Sequence, residues 1–417
     1  MSKNNSNLST DSYKGVRDFY PEDMAIQNHI FSTWKKTVES FGYTEYNASV
    51  LEPSELYKSK TSDEIVNEQT YTFTDRGDRE VTLRPEMTPT VARMIAGRRR
   101  ELGFPARWYS IPNMFRYERT QRGRLREFWQ LNVDVFGIKS TEADVEAITL
   151  AYQIMKDFGA QDSDFEIKIS SRKLMNAVFA NWYELDEMQS KALQKLMDKK
   201  AKMPEELFYM EAEKIIGKPY EFLNLSHKSA EYEEAMAIPT IREAKEELDI
   251  VLAQLKANGV TNATYDENII RGFDYYTGTV FEVFDTDPKN NRSLFGGGRY
   301  DNLLSLFGGD SLPAYGFGMG DVTLKDFLET HGLLPTYTSS AEVMICIMDE
   351  ASRTYADEVA RELRAKGKNV AVNYSYKSIN DQTKSARKQS IPSIIVIGEK
   401  EVSEKTYEIK MLSVEAE

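Results

Sequence analysis

Residues Phe115–Gly137 read FRYERTQRGRLREFWQLNVDVFG, and this stretch decides the fold that we predict for the chain. Apolar and polar side chains alternate through its second half, Phe128–Phe136, which is typical of a half-buried strand. Side chains two residues apart in a strand point to the same face, so Gln130, Asn132 and Asp134 are predicted to line one face together. The stretch therefore places three polar side chains in a row on a sheet.

A second strand is predicted at Trp108–Glu118, so that the two strands form a β-hairpin around the polar loop Thr120–Gly123. The loop region is dense in cations, namely Arg119, Arg122, Arg124 and Arg126. Arginine makes forked contacts with phosphate or carboxylate and stays charged at any working pH. The hairpin would therefore bind an anion at its tip and a donor-rich ligand along its row of acceptors. A solvated, charged hairpin is an equally good interpretation of these residues alone.

Length, composition and charge limit the class of protein. A chain of 417 residues exceeds one hydrophobic core, which predicts two or three domains. The hydrophobic content of 41% suits a soluble globular protein. The net charge of -13 argues against nucleic-acid binding over the whole surface, but it is compatible with a local basic patch.

Cysteine and histidine usage limits the chemistry further. The single cysteine, Cys346, excludes an internal disulfide and favours a cytoplasmic location. The three histidines are scattered without ligand spacing, so we predict no zinc and no metal site built from protein side chains. The N-terminus lacks an apolar segment and no run reaches transmembrane length, so we expect no membrane partner.

Changes of pattern along the chain predict its domains. Strand and helix signals mix in most of the chain, but glycine almost vanishes in one long segment where apolar residues recur at helical spacing. Near the C-terminus strands and helices alternate, which predicts a small α/β domain. The predicted segments are a disordered N-terminus (1–12), a mixed domain in two parts (13–171 and 259–330), a helical insertion domain (172–258), a linker (331–340) and the α/β domain (341–417).

Two helices of the mixed domain are predicted from their first and last residues. Met24–Phe41 has apolar residues at helical spacing, and Gly42 would end it as a C-terminal cap. Pro85–Thr90 would begin the other helix. Glu86 and Thr88 either cap that helix or face a ligand, and capping is the more frequent role.

Glycine marks two stretches near the end of the mixed domain. Leu294–Asp301 contains a triple glycine, and Pro313–Asp321 alternates glycine with apolar residues. Alternate glycines leave a bare backbone face against which a flat ring, such as adenine, can lie. Neither the dinucleotide-binding fingerprint nor the Walker A motif is present, because the glycine spacing differs from both.

The predicted α/β domain carries a basic face. Between Arg353 and Lys388 there are nine Lys or Arg residues against four Asp or Glu. Nucleic acid is a natural partner for such a face. A solvated helix surface is the alternative, and charge alone does not choose between them.

Together these stretches resemble the histidyl-tRNA synthetases, a family of class II aminoacyl-tRNA synthetases, from about Gly15 to the C-terminus. Met24–Pro53 occupies the place of the dimer-forming first motif of the class and Phe115–Gly137 that of the second, while Arg271–Gly278 is similar to the signature of the histidine enzymes. The resemblance implies an α+β catalytic domain with an antiparallel six-stranded sheet (the class II synthetase fold), an inserted helical domain and a C-terminal α/β anticodon-binding domain.

The resemblance also implies an activity, namely ATP-dependent ligation of L-histidine to its tRNA through a histidyl-adenylate, with release of pyrophosphate. Mg²⁺ would accompany the ATP phosphates, and the enzyme would be a homodimer. The implied catalytic residues are Arg116 and Arg271. The implied histidine-binding residues are Glu86, Thr88, Gln130, Asp134, Tyr275, Tyr276 and Tyr300, of which Asp134 and Tyr276 would read the imidazole. The implied ATP-binding residues are Arg116, Glu118, Arg124, Arg271, Gly318 and Gly320. The tRNA acceptor end would meet Arg119, Arg122 and Arg126.

The sequence departs from the family's pattern at two places. Asp134 is one methylene shorter than the Glu that is usual there. The third motif of the class usually ends in Gly-x-Glu-Arg, but here Asp321-Val322-Thr323 follows the glycine, so the Arg is absent. Arg299 or Lys325 would be its substitute.

Two other functions are compatible with the same fold. A non-catalytic regulatory subunit of ATP phosphoribosyltransferase typically lacks the anticodon-binding domain and the intact signature at Arg271–Gly278. A tRNA-sensing module would be expected to lose Arg116 or Arg271. Because all of these features are present, the sequence favours the synthetase.

Overall fold

The computed structural model describes residues 8–58, 69–197, 199–200, 203–217, 225, 229–269, 275–290 and 292–412. It divides the chain into two units, Met1–Leu334 and Pro335–Glu417. Most of the predicted disordered N-terminus lies outside the described residues, and so does Arg271.

The first unit combines a large sheet, a small sheet and helices. Its strands are β1 (Thr44–Glu45), β2 (Leu51–Pro53), β3 (Tyr71–Thr74), β4 (Glu80–Leu83), β5 (Ala106–Ser110), β6 (Asn113–Phe115), β7 (Glu127–Phe136), β8 (Phe165–Ser171), β9 (Ala263–Tyr265), β10 (Thr279–Asp285), β11 (Ser293–Arg299) and β12 (Ala314–Gly320). Its helices are α1 (Pro21–Ser40), α2 (Glu55–Lys58), α3 (Thr88–Arg98), α4 (Glu142–Asp157), α5 (Arg172–Asn181), α6 (Glu187–Met197), α7 (Glu205–Ile216), α8 (Ala230–Met236), α9 (Pro239–Ala257) and α10 (Asp321–Thr330).

Six antiparallel strands form the centre of the large sheet, in the order β5-β7-β12-β11-β10-β8. The predicted six-stranded antiparallel sheet is confirmed. Short parallel strands extend it at both ends, β1 beside β5 and β9 beside β8, while β6 pairs with β7. Strands β2, β4 and β3 form the small sheet.

The two faces of the large sheet differ because side chains alternate along each strand. One face is apolar and belongs to the main hydrophobic core, where α4 packs on β12 and α1 packs on α4. From β7 and β12 this face carries Leu131, Val133, Val135, Tyr315, Phe317 and Met319. The opposite face carries Gln130, Asn132 and Asp134 beside a row of glycines, as the alternation in β7 predicts.

The sequence predicts β7 as half-buried, and this is wrong. Asn132 and Asp134 are only 5% and 3% exposed, although both lie on the polar face. A second apolar cluster, which includes Tyr275 and Tyr300, lies on that side of the sheet. The polar side chains of β7 are therefore enclosed, which raises the energetic cost of leaving them without partners.

The predicted strand Trp108–Glu118 is two strands, because Ile111 and Pro112 separate β5 from β6. Proline has no amide N–H to donate to a β-ladder. The carbonyl of Pro112 still accepts a hydrogen bond from the amide of Gln130 at 3.0 Å, so β7 continues past the break.

Helix α1 begins at Pro21, three residues before the predicted start at Met24. Proline fits the first turn because its missing N–H would have no helical partner there, and Glu22 and Asp23 favour the positive end of the helix dipole. Gly42 follows the helix with a φ of 81°, which confirms the predicted cap.

The predicted helical segment contains α5 to α9. Helix α5 packs against α9, and buried Leu193 and Phe208 from α6 and α7 join the main core. Within the described part of residues 172–258, every regular element is a helix.

The second unit has the predicted α/β pattern. Its elements are β13 (Val343–Ile347), α11 (Arg353–Ala365), β14 (Val370–Asn373), α12 (Ile379–Lys388), β15 (Ser393–Ile397), α13 (Glu399–Glu404) and β16 (Lys410–Met411). Strand β13 lies between parallel β14 and β15, and β16 adds an antiparallel edge. Every residue of β13 is buried, because separate apolar clusters cover its two faces. The sequence prediction misses the short helix α13.

Among the helices that the structure describes, none is long and apolar enough to cross a lipid bilayer.

Candidate active site

Three glycines of the large sheet form a floor under three of the predicted histidine-binding side chains. The pairs are Gly298 with Tyr276, Gly316 with Asp134, and Gly318 with Gln130. A Cβ on Gly298 or Gly318 would lie 2.8 Å from the side chain above it, and one on Gly316 would overlap the carboxylate. The glycine floor therefore lets these side chains lie directly on the backbone of β11 and β12.

This arrangement changes the predicted role of the alternate glycines. The sequence predicts a bare backbone face for adenine, but Asp134 and Gln130 already cover Gly316 and Gly318. The contact between ATP and Gly318 stays a prediction. Gly320 is more open, since a Cβ there would be 3.8 Å from its nearest neighbour, the hydroxyl of Thr323.

Asp134 lies at the centre of the polar face. The Tyr300 hydroxyl donates a hydrogen bond to Asp134 Oδ1. Burial raises the pKa of Asp134 to about 7, and the bond from Tyr300 opposes that rise. A carboxylate with a pKa near neutrality changes between acceptor and donor within the working pH range.

Glu86 is the second enclosed carboxylate. Tyr275 donates to Glu86 Oε2 at 3.1 Å, and the rings of Tyr275 and Tyr276 lie 4.9 Å apart. Glu86 and Thr88 do not cap α3, because the N-cap is Met87, which makes no side-chain cap bond. Thr88 is the first residue of the helix. The predicted capping role is therefore not observed, and the role of Glu86 and Thr88 in facing a ligand stays a prediction.

Arg116 is held beside these carboxylates. Its Nε donates to the carbonyl of Pro85 at 2.8 Å, and its guanidinium lies 5.4 Å from the ring of Phe128. Burial lowers its pKa, while the charges of Glu118 and Glu86 oppose that change. The side chain of Arg116 is 19% exposed, and the carboxylate of Glu118 lies 4.0 Å from its Nη1. Among the residues that the structure describes, its terminal nitrogens make no shorter ion pair, and a guanidinium so placed suits an anionic ligand.

The other predicted ATP contacts of the hairpin form an ion pair. Arg124 Nη1 lies 3.0 Å from Glu118 Oε2. The side chain of Glu118 is 11% exposed, whereas that of Arg124 is 48% exposed. The structure brings together Arg116, Glu118 and Arg124, three of the ATP-binding residues that the resemblance implies.

The three remaining loop cations differ in their surroundings. Arg122 donates to Asn290 Oδ1 at 3.0 Å, and Arg126 stacks on Tyr117 with 4.1 Å between guanidinium carbon and ring centre. Arg119 is exposed and makes no ion pair with any residue that the structure describes. Of the three, Arg119 is best placed to meet a macromolecular ligand.

The third-motif position is occupied by a buried acid and a small hydroxyl residue. Asp321 begins α10 and accepts hydrogen bonds from Arg17 Nη2 at 2.7 Å, Gln27 Nε2 at 3.2 Å and the amide of Trp129 at 2.9 Å. Thr323 donates to the carbonyl of Leu294 at 2.7 Å. The start of α10 is thus fixed to both α1 and β7.

Sequence reasoning missed this network around Asp321. Arg17 is 304 positions away from Asp321 in the chain, and Gln27 is 294 away. No local periodicity connects such distant partners. The only signal was an acid in the first turn of a predicted helix, which ordinarily indicates no more than a favourable helix dipole.

Neither suggested substitute for the missing arginine is placed for that role. Arg299 is buried and forms a forked ion pair with Asp144, and it also donates to the carbonyl of Ser140 at 2.7 Å. Lys325 lies 3.6 Å from Asp23 at the surface. Arg299 stabilises the fold, so the sequence-based suggestion is not supported.

Metal ligands do not cluster in the described part of the chain, where no group of three or more His, Cys, Asp or Glu residues could hold an ion.

We predict that Gly316→Ala disrupts the part of the site where Asp134 lies, which is the predicted histidine-binding part. The added Cβ would overlap the Asp134 carboxylate and the carbonyl of Val133, which lies 2.6 Å away. A steric conflict of this kind in a packed interior costs about 1–3 kcal/mol, and it also displaces the carboxylate. Gly320→Ala is the matched control, because a Cβ there is in ordinary contact. Chemical denaturation and titration with histidine of both variants would measure this, and equal behaviour would contradict the steric role of Gly316.

We predict that Asp321→Ala lowers the free energy of unfolding by about 1–3 kcal/mol, because it leaves the buried amide of Gln27 and the amide of Trp129 without their acceptor and removes the ion-pair partner of Arg17. The control is Asp23→Ala, which removes an exposed ion pair between the same two helices. Such a pair contributes about 0–1 kcal/mol. If the hydrogen bonds of Asp321 stabilise the fold, the midpoint of urea unfolding should be clearly lower for Asp321→Ala than for Asp23→Ala. Similar midpoints for the two variants would contradict this prediction.

The site as a whole holds two enclosed carboxylates, a row of tyrosines and a partly buried arginine on one side of the sheet. Carboxylates suit the ammonium and the ring N–H of an amino acid, and the arginine suits a phosphate. The arrangement can therefore bring a cationic, donor-rich small molecule up to a phosphate group.

Comparisons with known proteins agree with this chemistry. A family model described as histidyl-tRNA synthetase matches residues 15–322, and one described as an anticodon binding domain matches residues 342–415. The chain is 42% identical to the histidine–tRNA ligase of Leptospira biflexa over 412 residues, which cover 97% of this chain and 93% of that protein. It is 37% identical to the histidine–tRNA ligase of Opitutus terrae, covering 97% and 94%. The crystal structure of histidyl-tRNA synthetase from Nostoc has the same fold, with a TM-score of 0.78 at 23% identity, covering 97% of this chain and 95% of that one.

Proposed function

The chain belongs to the histidyl-tRNA synthetase family, and on that premise we infer that it ligates L-histidine to its tRNA with ATP. The single observation that carries the site assignment is the placement of buried Asp134 and Glu86 and partly buried Arg116 on one side of the sheet. The regulatory-subunit alternative is not favoured, because the C-terminal unit matches an anticodon-binding domain and full-length relatives are histidine–tRNA ligases.

We propose that Asp134, Tyr276 and Tyr300 recognise the imidazole. A carboxylate accepts a hydrogen bond from one ring N–H, and a phenol serves the other ring nitrogen. An apolar amino acid has no ring N–H to donate to the Asp134 carboxylate, which is a basis for rejecting it. Tyr300 is already bonded to Asp134, which supports its assignment to this end of the pocket.

The α-amino group of histidine would lie at the other end. Glu86, Thr88, Gln130 and Tyr275 are the proposed partners, and the contact between Tyr275 and Glu86 supports a common site. Glu86 has the charge that an ammonium requires.

Activation joins two anions, so cations are needed at the reacting phosphate. A histidine carboxylate oxygen attacks the α-phosphorus of ATP, and the bond to pyrophosphate breaks as the new bond forms. We propose that Arg116 and Arg271 stabilise the charge that develops there, while Glu118, Arg124, Gly318 and Gly320 bind the rest of the nucleotide. Mg²⁺ would arrive with the ATP phosphates as part of the substrate.

Arg119 would contact the tRNA acceptor end, with smaller contributions from Arg122 and Arg126, which already make internal contacts. We predict that Arg119→Ala leaves ATP–pyrophosphate exchange unchanged and lowers the rate of tRNA charging about three- to tenfold, as expected for one exposed phosphate contact. Salt would weaken charging by the wild type more than by the variant. Equal loss of both activities would place Arg119 in the activation step instead.

We also propose a homodimer in the cytoplasm. Family resemblance at Met24–Pro53 supports the dimer. The one cysteine, Cys346, is buried and its pKa is raised to about 11 by burial, so it is an unreactive thiol with no need of an oxidising compartment.

The test of the proposed function is histidine-dependent ATP–pyrophosphate exchange by the purified protein with Mg²⁺, with other amino acids as controls. We expect exchange with histidine alone and its loss in Arg271→Ala. A folded wild-type protein without exchange would refute the synthetase assignment and favour the regulatory or sensing alternative.

A further inference from the structure

The tip of the arginine-rich loop, Gln121–Gly123, is bonded to a segment that lies far away in the chain. Arg122 Nε donates to Asn290 Oδ1 at 3.0 Å, and Arg292 Nη2 donates to Gln121 Oε1 at 3.0 Å. Asn290 and Arg292 both belong to the connection between β10 and β11. The loop tip is therefore docked on the body of the first unit.

Asn290 is oriented to accept a hydrogen bond from the loop. It is 9% exposed, and its Nδ2 donates to Asp285 Oδ2 at 2.6 Å and to Thr330 Oγ1 at 3.1 Å. Asp285 is itself buried, and His331 Nε2 lies 2.8 Å from its Oδ1. Because both amide hydrogens of Asn290 have partners inside the fold, its Oδ1 is directed to Arg122.

Thr323, at the position where the class usually has arginine, is the seat of the loop tip. Its hydroxyl donates to the carbonyl of Leu294 at 2.7 Å, and its methyl group faces Gly123. Gly123 has a φ of 75°, which favours glycine, and a Cβ there would lie 3.3 Å from that methyl group. A longer side chain that extended from the position of this methyl group would enter the space of the loop tip. The absence of the third-motif arginine and the docking of the loop are therefore linked.

We propose that Arg122 and Asn290 are positioning residues that hold the loop tip on Thr323, so that Arg119 on the same loop is presented to the acceptor end of the tRNA. This inference rests on the proposed function. Arg119 is exposed, and a loop that is already ordered loses less conformational entropy when its ligand binds. The smaller contribution of Arg122 to tRNA binding would then come through the loop and not through a phosphate contact of its own.

Limited digestion with trypsin tests the docking without any ligand. Cleavage after Arg119 and Arg124 follows the population of the open loop, and the loss of one hydrogen bond should raise its rate about two- to tenfold. We therefore expect faster cleavage at these two sites, identified by mass spectrometry, in both Asn290→Ala and Arg122→Ala. Lys289→Ala is the matched control, because Lys289 is the exposed neighbour of Asn290 in the same turn. It should keep the wild-type rate.

Two variants are needed because Asn290→Ala also removes hydrogen bonds inside the fold. A general loss of stability would raise cleavage at sites throughout the chain, and urea unfolding would detect it. Arg122→Ala opens the same contact from the other side, and its side chain is 54% exposed, so the fold stays intact. Wild-type cleavage rates after Arg119 and Arg124 in Arg122→Ala would overturn the docking.

Charging of tRNA separates positioning from direct contact. Arg122→Ala should lower charging, relative to pyrophosphate exchange by the same preparation, by no more than the effect of Arg119→Ala. The double variant should charge as slowly as Arg119→Ala alone, because residues that act through one another are not additive. Asn290→Ala should lower charging too, although it removes no cation. Multiplied effects in the double variant, or wild-type charging by Asn290→Ala, would overturn the inference and give Arg122 a tRNA contact of its own.

A wild-type protein without histidine-dependent exchange would refute the proposed function, and with it the role of the loop in charging. The cleavage rates would still report whether the loop is docked, because they need no substrate. The two failures are therefore distinguishable.

Discussion

Replacing Arg116 by alanine is expected to lower kcat for histidine-dependent pyrophosphate exchange about a hundred- to thousandfold, which is the usual effect of removing one preorganised donor from a developing negative charge. The guanidinium is largely enclosed and is fixed by the Pro85 carbonyl and the Phe128 ring. A cation that is already oriented needs no reorganisation when charge develops at the phosphate.

Exchange kinetics with varied ATP and varied histidine would measure this effect. Arg116→Lys keeps the charge but loses the forked geometry, so it should recover only part of the rate. Arg119→Ala, on the same hairpin, should retain full exchange. A rate for Arg116→Ala within about threefold of the wild type would remove Arg116 from the activation step.

Replacing Asp134 by asparagine should abolish discrimination for histidine while making the protein more stable at pH 8. The substitution exchanges a carboxylate for an amide that presents only one acceptor oxygen, and we expect kcat/KM for histidine to fall about a hundredfold or more. Stability should rise because the folded-state pKa of about 7 exceeds the ordinary value of 3.8. Between these values the folded state binds the proton more tightly, so ionising Asp134 progressively destabilises the fold as pH rises towards 7.

The thermal midpoints of wild type and Asp134→Asn should therefore converge at low pH, separate as the pH rises towards 7, and keep a constant difference above pH 7. Asp162→Asn is the control for which we expect the opposite change in stability. Hydrogen bonds from Thr261, Lys156 and Tyr152 lower the pKa of Asp162 to about 2, so its charged form stabilises the fold. That variant should lose stability at neutral pH and keep the wild-type kcat/KM for histidine. If Asp134→Asn destabilised the fold at pH 8, the carboxylate would be stabilised in its charged form, contrary to this account.

For the wild type, kcat/KM for histidine should fall below about pH 7 as Asp134 becomes protonated. A protonated carboxyl can no longer accept from a ring N–H with both oxygens. Activity that is level down to pH 5 would show that Asp134 stays ionised in the free enzyme.

Local patterns predicted the strands and their faces well. The alternation in Phe128–Phe136 gave β7 nearly to the residue, since the side-chain period of a strand is independent of its surroundings. The break at Pro112 was also readable from the chemistry of proline, although the prediction joined β5 and β6 into one strand. Periodicity does not predict that the polar face of β7 is buried, because this burial depends on elements elsewhere in the chain.

The site was predictable to the extent that its residues share a motif. Arg116, Glu118 and Arg124 meet because one hairpin carries them. Tyr275 and Glu86 are 189 positions apart, so only the family resemblance placed them together. The sequence predicted that the glycines allow a close approach to the backbone, but it did not predict which side chains lie on them. A glycine indicates that another group comes close to the backbone, and it does not identify that group.

The glycine floor has a consequence for any attempt to redesign the enzyme for a larger amino acid. Pockets are ordinarily enlarged by trimming side chains, but Gly298, Gly316 and Gly318 have none to trim. New volume would have to come from the opposite side, where the aromatic rings of Tyr275 and Tyr300 pack 5.8 Å apart. The range of amino acids that this protein accepts can therefore be widened only by substitutions on the side of the pocket that Tyr275 and Tyr300 line.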